Sequence, residues 1–335
     1  MSNIREVARR SGVSVATVSR ALKDPQMVSP QTREKVLKAV EETGYRPNLL
    51  ARNFSSGKSF AVMVLVPNIA NPFFSKVIRG IEKAAQDQGY SVLLGDTKGE
   101  PAHEQFYAGM ALTNQADGLI QLDSRYPFAE KDAAVAASIP MVNACERIVD
   151  DDRYPVVELD NCGAAQAMAR HLVELGHSRI GVITGPLKSP IVRDRLAGFD
   201  EELHRHGLAL NSQLVVNGEF TMSSGAVGAE KLLSATSAPS AIFCMNDEMA
   251  IGAIHQAKKM RLRVPEDVSV TGFDNIEFSQ FTDPPLTTID QPAEELGRYA
   301  METLRQMIDG KPMKSSRTIL PFELVVRGST GRCQD

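Results

Sequence analysis

Six side chains in one short window have the types and order needed to read a nucleic-acid groove. Ser14, Val15, Ala16, Thr17, Ser19 and Arg20 stand at the start of a predicted helix beginning at Val15, with Ser14 as its N-cap. Val18, Ala21 and Leu22 share another face of that helix. Small side chains at a helix start allow close approach to a major groove, and an Arg there can read guanine O6 and N7. An ordinary surface helix carries the same residues equally well, so the spacing alone leaves both uses open.

A second set of residues has the chemistry to hold a small organic ligand. Phe73 and Phe74 follow Asn71-Pro72 just after an apolar run. They can flank a flat ring or the apolar face of a sugar, or they can start a helix as core residues; the expectation is one of each. Asp274 ends the run SVTGF. A carboxylate there can accept two ribose or hexose hydroxyls, or it can serve a turn with Asn275. Asn246 and Asp247 end the preceding apolar run and share that ambiguity. Phe220, in NGEF, either closes a pocket or packs at a loop base.

Catalytic and metal chemistry lack their signatures. The six histidines, His103, His171, His177, His204, His206 and His255, form no metal motif, and solvated surface is the expected state of most. His204 and His206 are too close in sequence to face one way on a helix. The sequence has no GxSxG elbow, Walker A loop or GxGxxG fingerprint. Cys145, Cys162, Cys244 and Cys333 are far apart, without metal-knuckle or redox spacing. The first three sit in apolar runs or element ends and read as small buried residues. No cofactor, no metal and no enzymatic activity are expected.

The elements that must position these residues follow from periodicity. Ile4, Val7 and Ala8 give a first helix its apolar face, and Gly12 ends it. Ser29 and Pro30 open a third helix through Val36, Leu37 and Val40, closed by Gly44. Pro47 and Ser55-Ser56-Gly57 then bracket Asn48 to Asn53, which is too short for a stable isolated helix and reads as a linker. From Phe60 onward apolar strands alternate with amphipathic helices: FAVMVLV, SVLLGD, DGLIQLD and IPMVNA, then, past PVVELD, SRIGVITG, SQLVVNG, SAIFCMN and DVSVTGFD. Asn161 is the expected cap of the helix CGAAQAMARHLVELG. Continuous apolar strands with helices between them indicate parallel sheets covered on both faces. Two such units would enclose a cleft at the carboxyl ends of their strands.

Charge is unevenly spread. Residues 1–60 hold 11 Lys/Arg and 5 Asp/Glu, a balance of +6, which leaves −10 on the rest of a chain whose total is −4. A basic head on an acidic body suits a DNA-binding domain joined to a sensor. The N-terminus has no long apolar run, and no stretch is long enough to span a membrane, so a cytoplasmic protein is expected.

VARRSGVSVATVSRAL, continued by ETGYRPNLLAR, resembles the helix-turn-helix of the lactose/purine repressor family of bacterial transcription factors. DNCGAAQAMARHLVELGHSRIGVITGP, DRLAGF, FCMNDEMAIGAI, VPEDVSVTGFDN and DPPLTTIDQP resemble the sensor of the same family, so the likeness covers about residues 3–330. NPFFSKVIRGIE, the SRYPF stretch and GFDNIEFSQFTDPPLTTIDQP are most similar to its cytidine-responsive members. The resemblance implies an α/β chain in three parts. Residues 1–46 form a three-helix DNA-binding domain, and residues 47–59 a hinge helix and linker. Residues 60–330 form a sensor resembling periplasmic sugar-binding proteins, with two doubly wound parallel-sheet subdomains. Those subdomains are expected at about 60–160 with 291–318, and about 161–290 with 319–330.

The resemblance also implies a homodimeric regulator, a repressor that binds double-stranded operator DNA under control of a small effector, a nucleoside, pentose or hexose. Tyr45, Asn48 and Arg52 join the DNA-binding set by this likeness. The family's hinge helix orders on operator DNA and wedges the minor groove, typically with a Leu; Phe54 holds that position here. Arg195 and Ser124 match family positions that reach the effector, as do Phe73, Phe74 and Asp274; Arg193 either joins them or is solvated. Purine-base repressors carry an Arg and a Thr where this chain has Ser189 and Ile191, so a free purine base held by the same contacts is not expected. A transport-type solute-binding protein would share the sensor fold, but the basic helix-turn-helix weighs against it, and an α/β enzyme lacks a nucleophile or base–orienter set.

Overall fold

The computed structural model describes residues 3–45, 57–149, 151, 153–312 and 315–334, and the chain divides into two compact units, Met1–Ser59 and Phe60–Asp335. The expected hinge segment, with Asn48, Arg52 and Phe54, lies outside the described residues.

The first unit carries α1 (Ile4–Ser11), α2 (Val15–Lys23) and α3 (Pro30–Thr43). Each helix begins on a side-chain cap: Asn3 accepts from the Glu6 amide, Ser14 from Thr17 and Ser29 from Thr32. Such caps satisfy amides that the first helical turn leaves without partners. Gly12 turns the chain between α1 and α2 at φ 70°, a left-handed conformation that glycine adopts without a Cβ penalty. Val7, Ala8, Val18, Ala21, Val36 and Ala39 form the small core, with Ile4, Val13, Leu22, Val40 and Tyr45 packed around it.

The second unit holds two parallel sheets. Strands β1 (Ala61–Val66), β2 (Ser91–Asp96), β3 (Leu119–Gln121), β4 (Met141–Ala144) and β5 (Val156–Leu159) alternate with α4 (Pro72–Asp87), α5 (Pro101–Leu112) and α6 (Ala133–Ala136). The chain then crosses into α7 (Asn161–Glu174), β6 (Ile180–Thr184), α8 (Pro190–Arg205), β7 (Val215–Asn217), α9 (Met222–Leu233), β8 (Ala241–Cys244), α10 (Asp247–Lys259) and β9 (Ser269–Thr271). It returns through β10 (Thr288–Asp290), α11 (Ala293–Ile308), β11 (Arg317–Leu320) and β12 (Glu323–Val325). The first sheet runs β2-β1-β3-β4-β5-β11 and the second β7-β6-β8-β9. All pairings within both sheets are parallel. Both therefore start from the same reversal of strand order, which is the crevice where open α/β sheets bind ligands.

The sheets are buried on both faces, as their apolar strands require: all of β1, β3, β4, β5, β6 and β8 is buried. One face of the first sheet packs Val64, Ile120 and Val142 against Ile81 of α4 and Leu296 and Met301 of α11; the other packs Met63 and Leu119 against Ala108 of α5. The second sheet has its own core around Val182, Phe243 and Phe199.

Three local expectations are revised. Asp160, not Asn161, caps α7, accepting from the Gly163 amide at 2.9 Å. The run TTID, absent from the strands expected above, contains β10, which pairs antiparallel with β12 through Ile289 and Leu324. Of the cysteines expected to be buried, Cys244 is, while Cys145 and Cys162 are partly exposed.

Candidate functional sites: a recognition-helix face and a sensor cleft

On the first unit, the Ser14 cap fixes where α2 starts and hence which side chains stand free. Ser14 Oγ accepts from the Thr17 amide at 3.1 Å and pairs with Thr17 Oγ1 at 2.9 Å. Val18 and Ala21 are drawn into the core, so Val15, Ala16, Ser19 and Arg20 are left exposed, with Thr17 partly so. Tyr45 is half-buried against the same core. A helix that shows small residues and one guanidinium along its first turns has the shape and donors for groove reading.

On the second unit, a cleft of about 1210 Å³ opens at the carboxyl ends of both sheets. Each wall comes from a strand end. Asn68 follows β1, Asp123 and Ser124 follow β3, and Cys145 and Glu146 follow β4; Phe220 follows β7, Asn246 follows β8, and Asp274 follows β9. Phe73, Phe74, Ser124, Arg195, Phe220, Asn246 and Asp274 all line it. Arg193 does not; it is exposed on α8, since successive helical positions diverge and Arg195 takes the inward one.

The floor is polar and buried. Asp274 Oδ1 accepts from Gln291 Nε2 at 2.6 Å, and burial pushes the Asp274 carboxyl up to about 7 although Arg195 pulls it down. Asp274 and Asn275 hold φ of 115° and 50°, a conformation disfavoured for side chains other than glycine and typical of places where position matters more than ease. Arg195 is 3% exposed; its Nε donates to Asn161 Oδ1 at 2.8 Å, and an Nη donates to the Met245 carbonyl at 2.5 Å. Its guanidinium carbon lies 3.6 Å from the centroid of the Phe273 ring, a cation–π contact. Burial lowers the Arg195 group to about 10, so it stays charged at neutral pH. Asn246 donates to the Phe220 carbonyl at 3.1 Å while its oxygen caps α10. Phe220 sits at φ 56° and its ring covers Gly185, where a Cβ would come within 2.1 Å of it.

Aromatic rings supply apolar faces. Phe73 is buried and Phe74 half-buried, their rings edge to face at 5.4 Å between centroids. Both border the cleft, one mainly packing and one more open. Tyr126, on the loop after β3, adds a further ring and stacks on Tyr154 at 5.9 Å.

Four residue pairs tie the two halves of the sensor across the cleft. Ser189 Oγ donates to Glu146 Oε1 at 2.5 Å, and Arg147 makes a two-pronged pair with Asp194 at 2.6 and 2.9 Å. Asn71 Nδ2 donates to Glu248 Oε2 at 3.1 Å, and Lys76 Nζ to the Asn275 carbonyl at 2.9 Å. Glu146, Gln291 and Tyr126 line the cleft without having been expected there. Glu146 follows a strand end just as Asp274 does, so the rule that flagged Asp274 would also have flagged it. Among the described residues no His, Cys, Asp and Glu cluster could hold a metal ion, and no helix is long and apolar enough to cross a membrane.

A helix-turn-helix unit joined to a two-sheet unit with a ligand-sized cleft defines a DNA-binding regulator that senses a small molecule. Residues 3–48 match the family described as bacterial regulatory proteins, lacI family, and residues 169–330 match the periplasmic binding protein-like domain. The chain is 42% identical over 329 residues to the HTH-type transcriptional repressor CytR of Escherichia coli (strain K12), covering 98% of this chain and 96% of that one. The lac repressor dimer bound to operator and the anti-inducer ONPF superposes with a TM-score of 0.86 at 30% identity, covering 98% of this chain and 99% of that one. The transcriptional regulator CelR in complex with cellobiose gives 0.74 at 29% identity, covering 98% and 100%. This chain belongs to the lacI family of bacterial regulatory proteins.

Proposed function

We propose that the chain is a cytoplasmic, homodimeric transcriptional repressor whose operator affinity is set by a neutral, hydroxyl-bearing effector, a nucleoside before a free pentose or hexose. The observation that carries the effector class is the cleft's division of labour. Buried Asp274 and Arg195 line the cleft together with the rings of Phe73, Phe74, Phe220 and Tyr126. Asp274 accepts the vicinal hydroxyls of the sugar, and the rings hold a flat base. Asn246 and Ser124 add polar contacts. The exposed α2 residues Val15, Ala16, Ser19 and Arg20, together with Ser14 and Thr17, contact operator bases and phosphates, with Tyr45 beside them.

The division at residues 46, 59 and about 160, with a return near 291 and a final crossing near 318, is part of the same proposal. Effector changes the angle between the two sheets of the sensor and thereby the spacing of the two hinge segments in the dimer; by linkage, operator DNA alters effector affinity by the same factor. The test is a thermal-shift screen of the full chain against ribonucleosides, deoxyribonucleosides, ribose and hexoses. A binder of the native state raises the melting temperature. A nucleoside that stabilises the wild type and not Asp274→Asn is the expected result. Stabilisation of both proteins alike removes Asp274 from the site.

A further inference from the structure

Beneath the wall formed by Asp123, Ser124, Arg125 and Tyr126 lie three buried polar side chains that the effector reading does not use. Gln121 Nε2 donates to the Arg125 carbonyl at 3.0 Å, and Asn143 Nδ2 donates to the Asp123 carbonyl at 3.2 Å. Gln121 and Asn143 are register partners on adjacent strands. The third is Glu104, in the first turn of α5 and 1% exposed. Both Glu104 oxygens, the Gln121 oxygen and the Asn143 oxygen are buried without a hydrogen-bond donor. The Asn143 amide also donates to the Glu146 carbonyl at 3.3 Å, so these amide groups face backbone carbonyls while their oxygens and the Glu104 carboxyl remain as acceptors. An acceptor left dry costs about 1–3 kcal/mol, and a buried lone carboxylate more.

Only one member of the set can become a donor. Glutamine and asparagine do not titrate, whereas Glu104 gains an O–H on taking a proton. The charged groups around it set its preference. Asp123 faces it from the loop and opposes its ionisation, and Arg125 Nε, 3.7 Å from Oε2, favours it. On its own helix, His103 is bonded to the Thr97 carbonyl and stands 3.7 Å from Glu100. Asp96, which ends β2, and Lys98 just past it also line the cleft. Burial outweighs Arg125, and the Glu104 carboxyl is pushed up to about 7.

We propose that Glu104 is a positioning residue of the sensor: as a neutral acid it donates its proton to the Asp123 carboxylate and so fastens the Asp123–Tyr126 loop, and release of that proton to water leaves two facing carboxylates and loosens this wall of the cleft. The importance of the wall rests on the effector reading above, but the fastening does not, so it is tested without an effector. Hydrogen exchange of residues 122–126 is followed in the full chain at pH 6 and pH 8.5 and corrected for intrinsic amide chemistry. In the wild type, exchange rises by about tenfold, the change in ionised fraction of an acid titrating near 7. In Glu104→Gln, which keeps a neutral donor at the same place, the rise stays below about twofold. Equal rises in both proteins overturn the proposal. So does a wild-type loop whose protection is unchanged between the two pH values, a result that needs no variant. A failed effector screen alongside a positive exchange result would strike the effector reading and leave the fastening in place.

Discussion

At the scale of single residues, the proposed effector binding and base reading are tested at Asp274 and Arg20. Burial raises the Asp274 carboxyl instead of lowering it. The folded chain therefore holds a proton there that the unfolded chain has lost, between the ordinary aspartate range and about 7. Stability falls as pH rises through that window and levels above it. Hydroxyls donated by an effector favour the ionised form, so effector affinity should strengthen as pH rises towards 7 and then flatten; calorimetry across that range checks this. Asp274→Asn should abolish the effector response while operator binding by the unliganded protein stays near normal. Arg20→Ala should cost roughly 1–3 kcal/mol on a specific operator and relax preference at one base position. Equal loss on all sequences would make Arg20 a phosphate contact. Both are singled out from sequence by position, Asp274 just past a strand's carboxyl end and Arg20 on the exposed side of a helix whose start is capped by Ser14. Arg193 shows where that reasoning stops. It lies two positions from Arg195, and only the packing of α8 decides which of them turns inward.

At the scale of elements, helix pairs are seated through glycines. A Cβ at Gly297 of α11 would lie 2.0 Å from the Val77 carbonyl of α4, and one at Gly80 of α4 would lie 2.0 Å from the Glu294 carbonyl. Gly225 and Gly252 seat α9 on α10 in the same way, within 2.1 and 2.0 Å of backbone oxygens. Backbone cannot retreat as a flexible side chain can. Gly297→Ala should therefore destabilise the sensor by about 1–3 kcal/mol through forced separation of α4 and α11, despite the better helix propensity of alanine. Urea unfolding followed by circular dichroism measures it, and a neutral result would show that the helices slide apart freely. The helices and strands themselves were legible in the sequence, because their apolar periods are strong. The glycine contacts were not, since a glycine in a helical run carries no sign of what approaches it. Nor was the β10–β12 pair, whose partners are 35 positions apart at Ile289 and Leu324 and are matched only by the return of the chain.

At the scale of the whole sensor, the four residue pairs across the cleft hold its two halves at one angle. The Arg147–Asp194 pair is partly exposed, so its contribution to stability is on the order of 1 kcal/mol or less. Its leverage lies in the angle. Asp194→Asn should leave the melting temperature nearly unchanged and weaken the apparent effector affinity by roughly fivefold, the equivalent of about 1 kcal/mol in the closure equilibrium. Calorimetry on the two proteins decides; an unchanged affinity would show that the pair plays no part in closure. The interleaving of the halves has a consequence for synthesis on the ribosome. Strands β6 to β9 form a sheet from one unbroken stretch, residues 180–271, whereas the first sheet borrows its outer strand β11 and its covering helix α11 from beyond residue 292. The later-encoded half can thus complete its sheet while the earlier-encoded half is still waiting with Ile81 and Val64 uncovered by Leu296. A nascent chain stalled just after residue 290 should show protease protection over 180–271 and cleavage within 61–96, so the sheet begun first is the sheet closed last.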